Sequence, residues 1–172
     1  MGHSANEYFF HIGLLLGQDL MAKHARMFGL GEKTGVDLPY ETRGNIPSYK
    51  ARWYKGDTVN MSIGQGEVQV TPLQLARMIA IIENEGRIIQ PYIVKTIGNE
   101  DASKTENRRP VVLRKDVWQA IRKALYAPVK MDTGTAHVLD LPGMDTYGKT
   151  GTAQAGHGRD DHAWFAGVTR TS

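Results

Sequence analysis

The sequence predicts an α+β fold in which helices pack on an antiparallel sheet. Three segments, residues 6–28, 72–85 and 115–126, carry apolar residues at helical spacing. Two later segments, residues 147–155 and 162–168, have the character of strands. The Gly-rich residues 156–160 join them, which is a hairpin signal. With 172 residues, the chain is long enough for one domain with a hydrophobic core.

The first predicted helix covers residues 6–28. Ser4 or Asn6 is a candidate N-terminal cap, because each side chain can accept a bond from a free backbone amide. Gly29 and Gly31 follow the last apolar residue and should end the helix. The apolar face consists of Phe9, Ile12, Leu16, Leu20 and Met27.

The other two helices carry clear boundary signals. Thr71 is a good cap and Pro72 is tolerated at the first helical position, while Gly86 should stop this helix. The third helix begins at Lys115 and should end at Pro128, since proline breaks a helix interior. Between them, residues 87–97 alternate loosely and predict a strand, and residues 99–109 predict a polar loop. Residues 30–46 predict loops and turns, and residues 50–59 show no clear period.

Composition excludes several classes of function. The net charge is only +3, and the densest basic stretch, residues 104–115, is interrupted by an acidic residue and an apolar run, so we expect no nucleic-acid partner. The chain has no cysteine, which excludes disulfides and thiolate sites. No His lies in a metal-binding spacing, so we expect neither a metal nor a cofactor. No apolar run can span a bilayer and no signal peptide is visible, so we expect any membrane anchor to lie outside this sequence.

Two interpretations compete for the segment around Lys149. Residues 143–150 match the phosphate-loop pattern G-x-x-x-x-G-K-[ST], which would make the chain a nucleotide-binding protein. That pattern requires a helix directly after it, because the helix N-terminus holds the phosphates. The following residues, 151–158, contain three glycines and are poor helix formers.

The alternative is an edge strand that carries Lys149, Thr150 and Gly151 beside an acyl-transfer site. The cation and the hydroxyl can bind a substrate carboxylate, and the glycine lets a substrate backbone approach closely. Enzymes with this Lys-Thr-Gly element also use a Ser-x-Asn element, which Ser4 and Asn6 supply at a helix start.

Longer stretches resemble one protein family. Residues 28–39 (FGLGEKTGVDLP) and 62–76 (SIGQGEVQVTPLQLA) resemble signatures of class B penicillin-binding proteins. Residues 133–136 (TGTA) and 162–167 (HAWFAG) follow in the same order as in that family. The resemblance covers nearly the whole chain and is closest to the elongation transpeptidases of the family. It implies the penicillin-binding transpeptidase, or serine β-lactamase-like, fold, whose sheet has five strands.

The resemblance implies a role for each matching residue. Ser4 would relay a proton, Asn6 would bond a substrate amide, and Lys149 would supply positive charge. Thr150 and Thr152 would bind the substrate carboxylate, and the backbone N–H of Thr152 would be one oxyanion donor. An earlier Lys-Thr-Gly, residues 33–35, is structural by the same resemblance. Gln65 and Gly66 are expected to shape a loop rather than to contact substrate.

The central family element, Ser-x-x-Lys, has no match. Glu7, Ala51, Gln65 and Glu106 lie three residues after the candidate serines. We therefore expect residues 1–172 to form a single incomplete transpeptidase domain, without a nucleophile of its own. The alternatives left open are a non-catalytic module that binds peptidoglycan or a cell-wall partner, and the nucleotide-binding protein described above.

The family also implies partners and a location. These partners are peptidoglycan stem peptides, β-lactams, the rest of the same domain and cell-wall elongation proteins. The location implied is the extracytoplasmic face of a bacterial inner membrane.

Overall fold

A computed structural model describes residues 1–47, 52–102, 109–154, 158 and 160–171. The predicted α+β architecture is confirmed, because helices pack on one face of an antiparallel pair of long strands. The helices are α1 (Asn6–Leu16), α2 (Gln18–Met27), α3 (Lys55–Ser62), α4 (Pro72–Glu83) and α5 (Lys115–Lys130). The strands are β1 (Thr96–Ile97), β2 (Glu100–Asp101), β3 (Met144–Ala153) and β4 (His162–Thr171).

The first predicted helix is two helices, so the continuous helix over residues 6–28 is wrong. Gly17 separates α1 from α2 and adopts φ 76° and ψ 162°, a conformation that glycine reaches without a steric penalty. The predicted cap is also wrong. Ala5 is the N-cap residue, and no side chain caps α1, because the Ser4 hydroxyl lies against Lys149 instead.

Helix α3 lies where the sequence showed no clear period. It is only eight residues long, and Asp57 supports its first turn by accepting a bond from the Tyr54 N–H at 2.8 Å. Its Met61 packs with Ala22 and Ile46 in a small core. Since a helix this short displays few apolar residues, tertiary contacts stabilise it more than its own periodicity does. Residues 50 and 51 of the same segment, with residues 48 and 49 before it, lie outside the described residues.

Helix α4 begins at Pro72 as predicted and ends at Glu83, shortly before the predicted stop at Gly86. The Thr71 hydroxyl accepts a bond from the Gln74 N–H at 3.1 Å, and the Gln74 side-chain oxygen accepts one from the Thr71 N–H at 3.0 Å. The amide of the fully buried Gln74 also donates to the carbonyls of Glu32 and Arg43, which fixes the preceding loop on the helix. Gly86 follows the helix with φ 100°, and a Cβ there would collide with the carbonyl of Val111.

The predicted strand over residues 87–97 is wrong except for Thr96–Ile97, which pairs with Glu100–Asp101. Hydrogen bonds to a distant side chain hold part of the remaining segment. The Asp37 carboxylate accepts bonds from the Ile93 and Val94 N–H groups at 2.7 and 2.9 Å. These amides are therefore satisfied without a neighbouring strand. The polar loop predicted for residues 99–109 contains β2, and residues 103–108, with the first part of the basic stretch, lie outside the described part of the chain.

Helix α5 continues to Lys130, so the prediction that Pro128 ends it is wrong. Proline removes one hydrogen bond from a helix interior. Here Pro128 and Val129 are fully buried, and Leu125 lies one turn earlier in the main core. Apolar burial of roughly 2 kcal/mol for such a side chain offsets much of that loss.

Strands β3 and β4 pair over their full length, from Met144 opposite Thr171 to Ala153 opposite His162. Helix α5 packs on β3 and helix α4 on β4. The main core lies between these layers, and its buried members are Ile79, Ile81, Ile82, Val111, Trp118, Leu125 and Tyr147. Since side chains alternate along a strand, Lys149 lies on the same face as Tyr147, at the end of this core. Residues 155–157 and 159 of the predicted hairpin turn lie outside the described residues.

Candidate active site

A cleft of about 690 Å³ lies between the outer edge of β3 and the start of α1. It contains every residue that the sequence assigned to the site, namely Ser4, Asn6, Lys149, Thr150, Gly151 and Thr152. The Ser-x-Asn and Lys-Thr-Gly elements are 145 residues apart in sequence, and the fold brings them together.

Lys149 is the centre of this cleft. Its Nζ donates to the hydroxyl of Ser4, to the carbonyl of Thr150 at 2.7 Å and to the hydroxyl of Thr150 at 3.3 Å. Burial lowers the pKa of the Lys149 amine, because an ammonium loses hydration beside the core. The amine can therefore both supply positive charge and exchange a proton with a neighbouring hydroxyl more readily than a surface lysine.

Ser4 is held in an unusual backbone conformation. Its φ is 51°, in the left-handed region that non-glycine residues rarely adopt. Two backbone bonds stabilise the turn around it: the Ser4 N–H donates to the Met1 carbonyl at 3.1 Å, and the Thr135 N–H donates to the Gly2 carbonyl at 3.2 Å. Such strain persists only where the surrounding structure fixes it, and here it directs the hydroxyl at Lys149.

Thr150 and Thr135 form a second polar contact in the cleft. The Thr150 hydroxyl donates to the Thr135 hydroxyl at 2.8 Å. The sequence marked residues 133–136 as a family resemblance without giving Thr135 a place in the site. No local signal could have done so, because only the tertiary fold brings the turn after α5 to the strand edge.

Gln65 is the second site residue that sequence reasoning missed. Gly66 does shape the loop, with φ 71°. Gln65, however, lines the cleft, and its side-chain Nε2 donates to the carbonyl of Thr152 at 3.0 Å.

The remaining predicted residues lie at the open rim. Asn6, Gly151 and Thr152 are all exposed, so their polar groups are available to a ligand. Among the described residues, a Cβ at Gly151 would meet the Cβ of Trp164, at 3.7 Å, which is an ordinary contact. The packing of this chain therefore does not require glycine at position 151, which fits a glycine that leaves space for a bound ligand.

The earlier Lys-Thr-Gly, residues 33–35, is structural, as predicted. Thr34 is fully buried, and its N–H and hydroxyl donate to one Glu41 oxygen at 2.7 and 2.5 Å. Arg77, also buried, donates to the Thr34 carbonyl at 3.2 Å. Burial raises the pKa of the Glu41 carboxyl, but the bonds from Thr34 and Gly35 outweigh it, and the net pKa is lowered.

The phosphate-loop geometry is not present around Lys149. Strand β3 covers Met144–Ala153, so Lys149 and Thr150 lie in the middle of a strand rather than at a helix N-terminus. Within the described residues, no three His, Cys, Asp or Glu side chains form a group that could hold a metal ion. In the same part of the chain, no helix is long and apolar enough to cross a membrane.

A family model for the penicillin binding protein transpeptidase domain matches residues 1–172. The chain belongs to the penicillin-binding protein transpeptidase family. The peptidoglycan D,D-transpeptidase MrdA of Acinetobacter baumannii is 34% identical over 170 residues, which cover 88% of this chain and 24% of that protein. The chain thus spans about a quarter of the length of this curated relative.

Solved structures with the same fold support the same family membership. Pseudomonas aeruginosa PBP2, in complex with WCK 5153, is 33% identical with a TM-score of 0.84, over 94% of this chain and 37% of that chain. Helicobacter pylori PBP2, in complex with MreC, is 30% identical with a TM-score of 0.77. The match covers 95% of this chain and 31% of that chain. The predicted resemblance to class B transpeptidase domains of the PBP2 type is therefore confirmed.

Proposed function

We propose that this chain forms two walls of a peptidoglycan D,D-transpeptidase site, one with Ser4 and Asn6 and the other with Lys149, Thr150 and Thr152. The observation that carries this proposal is the contact between the Lys149 amine and the Ser4 hydroxyl inside a single cleft. Family relatives that are named peptidoglycan D,D-transpeptidases support it.

In the proposed reaction, a serine attacks the carbonyl between the two D-Ala residues of a stem peptide. An ester forms, the amide bond breaks, and the terminal D-Ala leaves with the transferred proton. The amine of a neighbouring stem then attacks the ester, which forms the cross-link and frees the serine. The hydroxyls of Thr150 and Thr152 bind the terminal carboxylate, and the Thr152 N–H stabilises the oxyanion. Ser4 and Lys149 pass the proton, and Asn6 bonds the substrate amide.

We further propose that the nucleophilic serine comes from a segment of the same protein outside these 172 residues, because the sequence contains no Ser-x-x-Lys. An apolar groove of about 640 Å³ supports this proposal. It opens between α4 and α5 and reaches Lys149, with Met78, Ile82, Ile121 and Ala124 in its lining. Such a surface is costly to leave in water, and the rest of the domain would cover it.

The same proposal extends to partners and location. The parent protein would be acylated by β-lactams, which react with the same serine. It would act at the extracytoplasmic face of the inner membrane, among cell-wall elongation proteins. The solved complex of a similar PBP2 with MreC supports a partner of that kind.

The test uses the full-length protein that carries this sequence, a Lys149→Met variant and the 172-residue chain alone. A stem peptide ending in D-Ala-D-Ala is supplied, and release of D-Ala is measured. We expect release by the full-length protein, a loss on the order of 100-fold or more in the variant, and none from the chain alone. Release at an equal rate by the variant would overturn the proposed role of the cleft.

A reversible binding module is the second candidate function, and one observation favours it: the cleft assembles carboxylate-binding groups, while the sequence contains no Ser-x-x-Lys. Saturable binding of D-Ala-D-Ala peptides by the full-length protein, with no D-Ala release and no covalent adduct, would select it.

A further inference from the structure

We propose that Gln65 is a positioning residue, which fixes the Thr152 end of β3 across the mouth of the cleft. The inference rests on the proposed function and adds to it a residue that controls the geometry of the oxyanion donor. The observation that supports this role is the hydrogen bond from Gln65 Nε2 to the Thr152 carbonyl, which joins residues 87 positions apart. A carbonyl can only accept a bond, so the amide nitrogen must be the atom that faces it.

The backbone around Gln65 is itself firmly placed. The Gln65 N–H donates to the carbonyl of Asn60 at 2.9 Å, directly at the end of α3. Gly64 and Gly66 flank it with φ 74° and 71°, conformations that turn the chain tightly on both sides. The side chain therefore projects from a short, well-anchored turn, and it does not need to be ordered by a ligand first.

The turn belongs to the wall that carries the Ser-x-Asn element. Helix α3 packs on α1, and the contact is close enough that a Cβ at Gly13 would collide with Ser62. Gln65 thus joins the rim of β3 to the helices behind Ser4 and Asn6. The Lys149–Ser4 contact joins the same two walls deeper in the cleft.

The bond acts on the peptide groups that line the free edge of β3. Two carbonyls along this edge are bonded from the cleft, that of Thr150 by Lys149 and that of Thr152 by Gln65. In an antiparallel strand, the N–H and C=O of one residue point to the same side. A bond that holds the Thr152 carbonyl therefore also sets the direction of the Thr152 N–H, the proposed oxyanion donor.

Loss of this bond should free the end of the strand. Gly151 and Thr152 are exposed, and β3 ends one residue later at Ala153. Strand pairing with β4 holds one side of this segment. On the other side, Gln65 is the cleft residue bonded to the Thr152 carbonyl, and its loss would let the oxyanion donor shift.

The experiment measures acylation of the full-length protein by a fluorescent penicillin, resolved into a binding constant and an acylation rate constant. Gln65→Met keeps the size of the side chain and removes the donor. The control is Gln69→Met on the same loop, where the exposed residue bonds Asn45 through its backbone only. Gln65→Lys keeps a donor and should rescue the rate.

We expect Gln65→Met to lower the acylation rate constant by roughly 10- to 100-fold, with the binding constant changed by less than about threefold, as for a misplaced donor. Gln69→Met and Gln65→Lys should remain within about threefold of the parent rate. Titration of the acylated fraction separates misfolding from slow chemistry, since a misfolded variant loses sites but not rate per site.

Three results would overturn the inference, and they can be told apart. If the parent is acylated and Gln65→Met reacts as fast as Gln69→Met, Gln65 does not position the donor and the proposed function stands. If the parent forms no covalent adduct at all, the proposed function fails and the role of Gln65 fails with it. A Gln65→Met protein with fewer active sites but a normal rate per site would also reject positioning, in favour of a purely structural role.

Discussion

At the residue scale, the Lys149 amine and the Ser4 hydroxyl show how the fold creates reactivity from ordinary side chains. Neither residue type is unusual in the sequence. The fold places the amine beside the core, where burial lowers its pKa, and places the serine in a left-handed turn that points its hydroxyl at the amine. Perturbed lysines of this kind are found where proton transfer is needed.

The lowered pKa of Lys149 predicts how stability depends on pH. Below the folded-state pKa both states hold the proton, and the folded state bears the full cost of the buried charge. As pH rises from that pKa to the ordinary lysine value, the unfolded chain holds more protons, so the parent gains stability relative to Lys149→Met. Urea unfolding of both proteins across this range measures the gain. If the difference in unfolding free energy between the two proteins did not change with pH, the prediction would be wrong.

A substitution at Gly151 should lower activity without lowering stability. Because a Cβ at Gly151 has room in the fold, Gly151→Ala should change the free energy of unfolding by less than about 0.5 kcal/mol. The added methyl enters the cleft, so penicillin acylation of the full-length protein should fall by roughly tenfold or more. Gly148→Ala is the contrasting variant, since its Cβ would lie 2.5 Å from the Ala166 carbonyl and should destabilise the sheet. Equal acylation by Gly151→Ala and the parent would refute the role given to this glycine.

At the element scale, the contact between α1 and α3 sets the helical wall of the cleft. Gly13 is buried in α1, directly against Ser62 at the end of α3. The absence of a side chain lets the two helices approach, which brings the turn that carries Gln65 near the start of α1. The site geometry therefore depends on a glycine that packs behind the cleft lining.

Gly13→Ala should destabilise the protein by about 1–3 kcal/mol, because the added methyl forces α1 away from α3. The matched control is Gly56→Ala in α3, where a Cβ meets no described residue within 4 Å and alanine should slightly favour the helix. Urea unfolding of both variants measures the difference. If Gly13→Ala were as stable as Gly56→Ala, the close helix contact would not exist in solution.

Elements with strong local signals were predictable, and elements set by tertiary contacts were not. Helix α4 has a capping Thr71, Pro72 at its first position and Gly86 at its end, so its bounds follow from local chemistry. The strand expected over residues 87–97 is present only at Thr96–Ile97, and Asp37, distant in sequence, bonds the Ile93 and Val94 amides before it. The end expected at Pro128 fails because burial of the last turn offsets much of the cost of one lost bond. All six assigned site residues meet in one cleft, whereas Gln65 and Thr135 needed the fold to be recognised.

At the scale of the whole molecule, three features of the surface are unusual for a protein that acts alone. Within the described residues, β3 and β4 each pair on one side only, and the cleft side of β3 carries the proposed site. The groove between α4 and α5 is apolar, and α1 exposes 70% of Leu15 and 63% of Tyr8. Open strand edges and apolar surfaces favour association.

We therefore expect the isolated 172-residue chain to be poorly soluble or to depend on a partner chain. Light scattering and thermal unfolding, followed across a range of concentrations, measure this. Association that weakens when the remaining part of the domain is supplied would support the account. A soluble monomer with a sharp thermal transition would contradict it.

The most direct measurement is the position of the penicillin adduct in the full-length protein. After reaction with a penicillin, proteolysis and mass spectrometry locate the modified residue. We expect one modified serine, within a Ser-x-x-Lys sequence outside these 172 residues, and loss of the adduct in Lys149→Met. An adduct on Ser4, or no adduct anywhere in a folded full-length protein, would contradict the central claim that this chain completes a serine transpeptidase site.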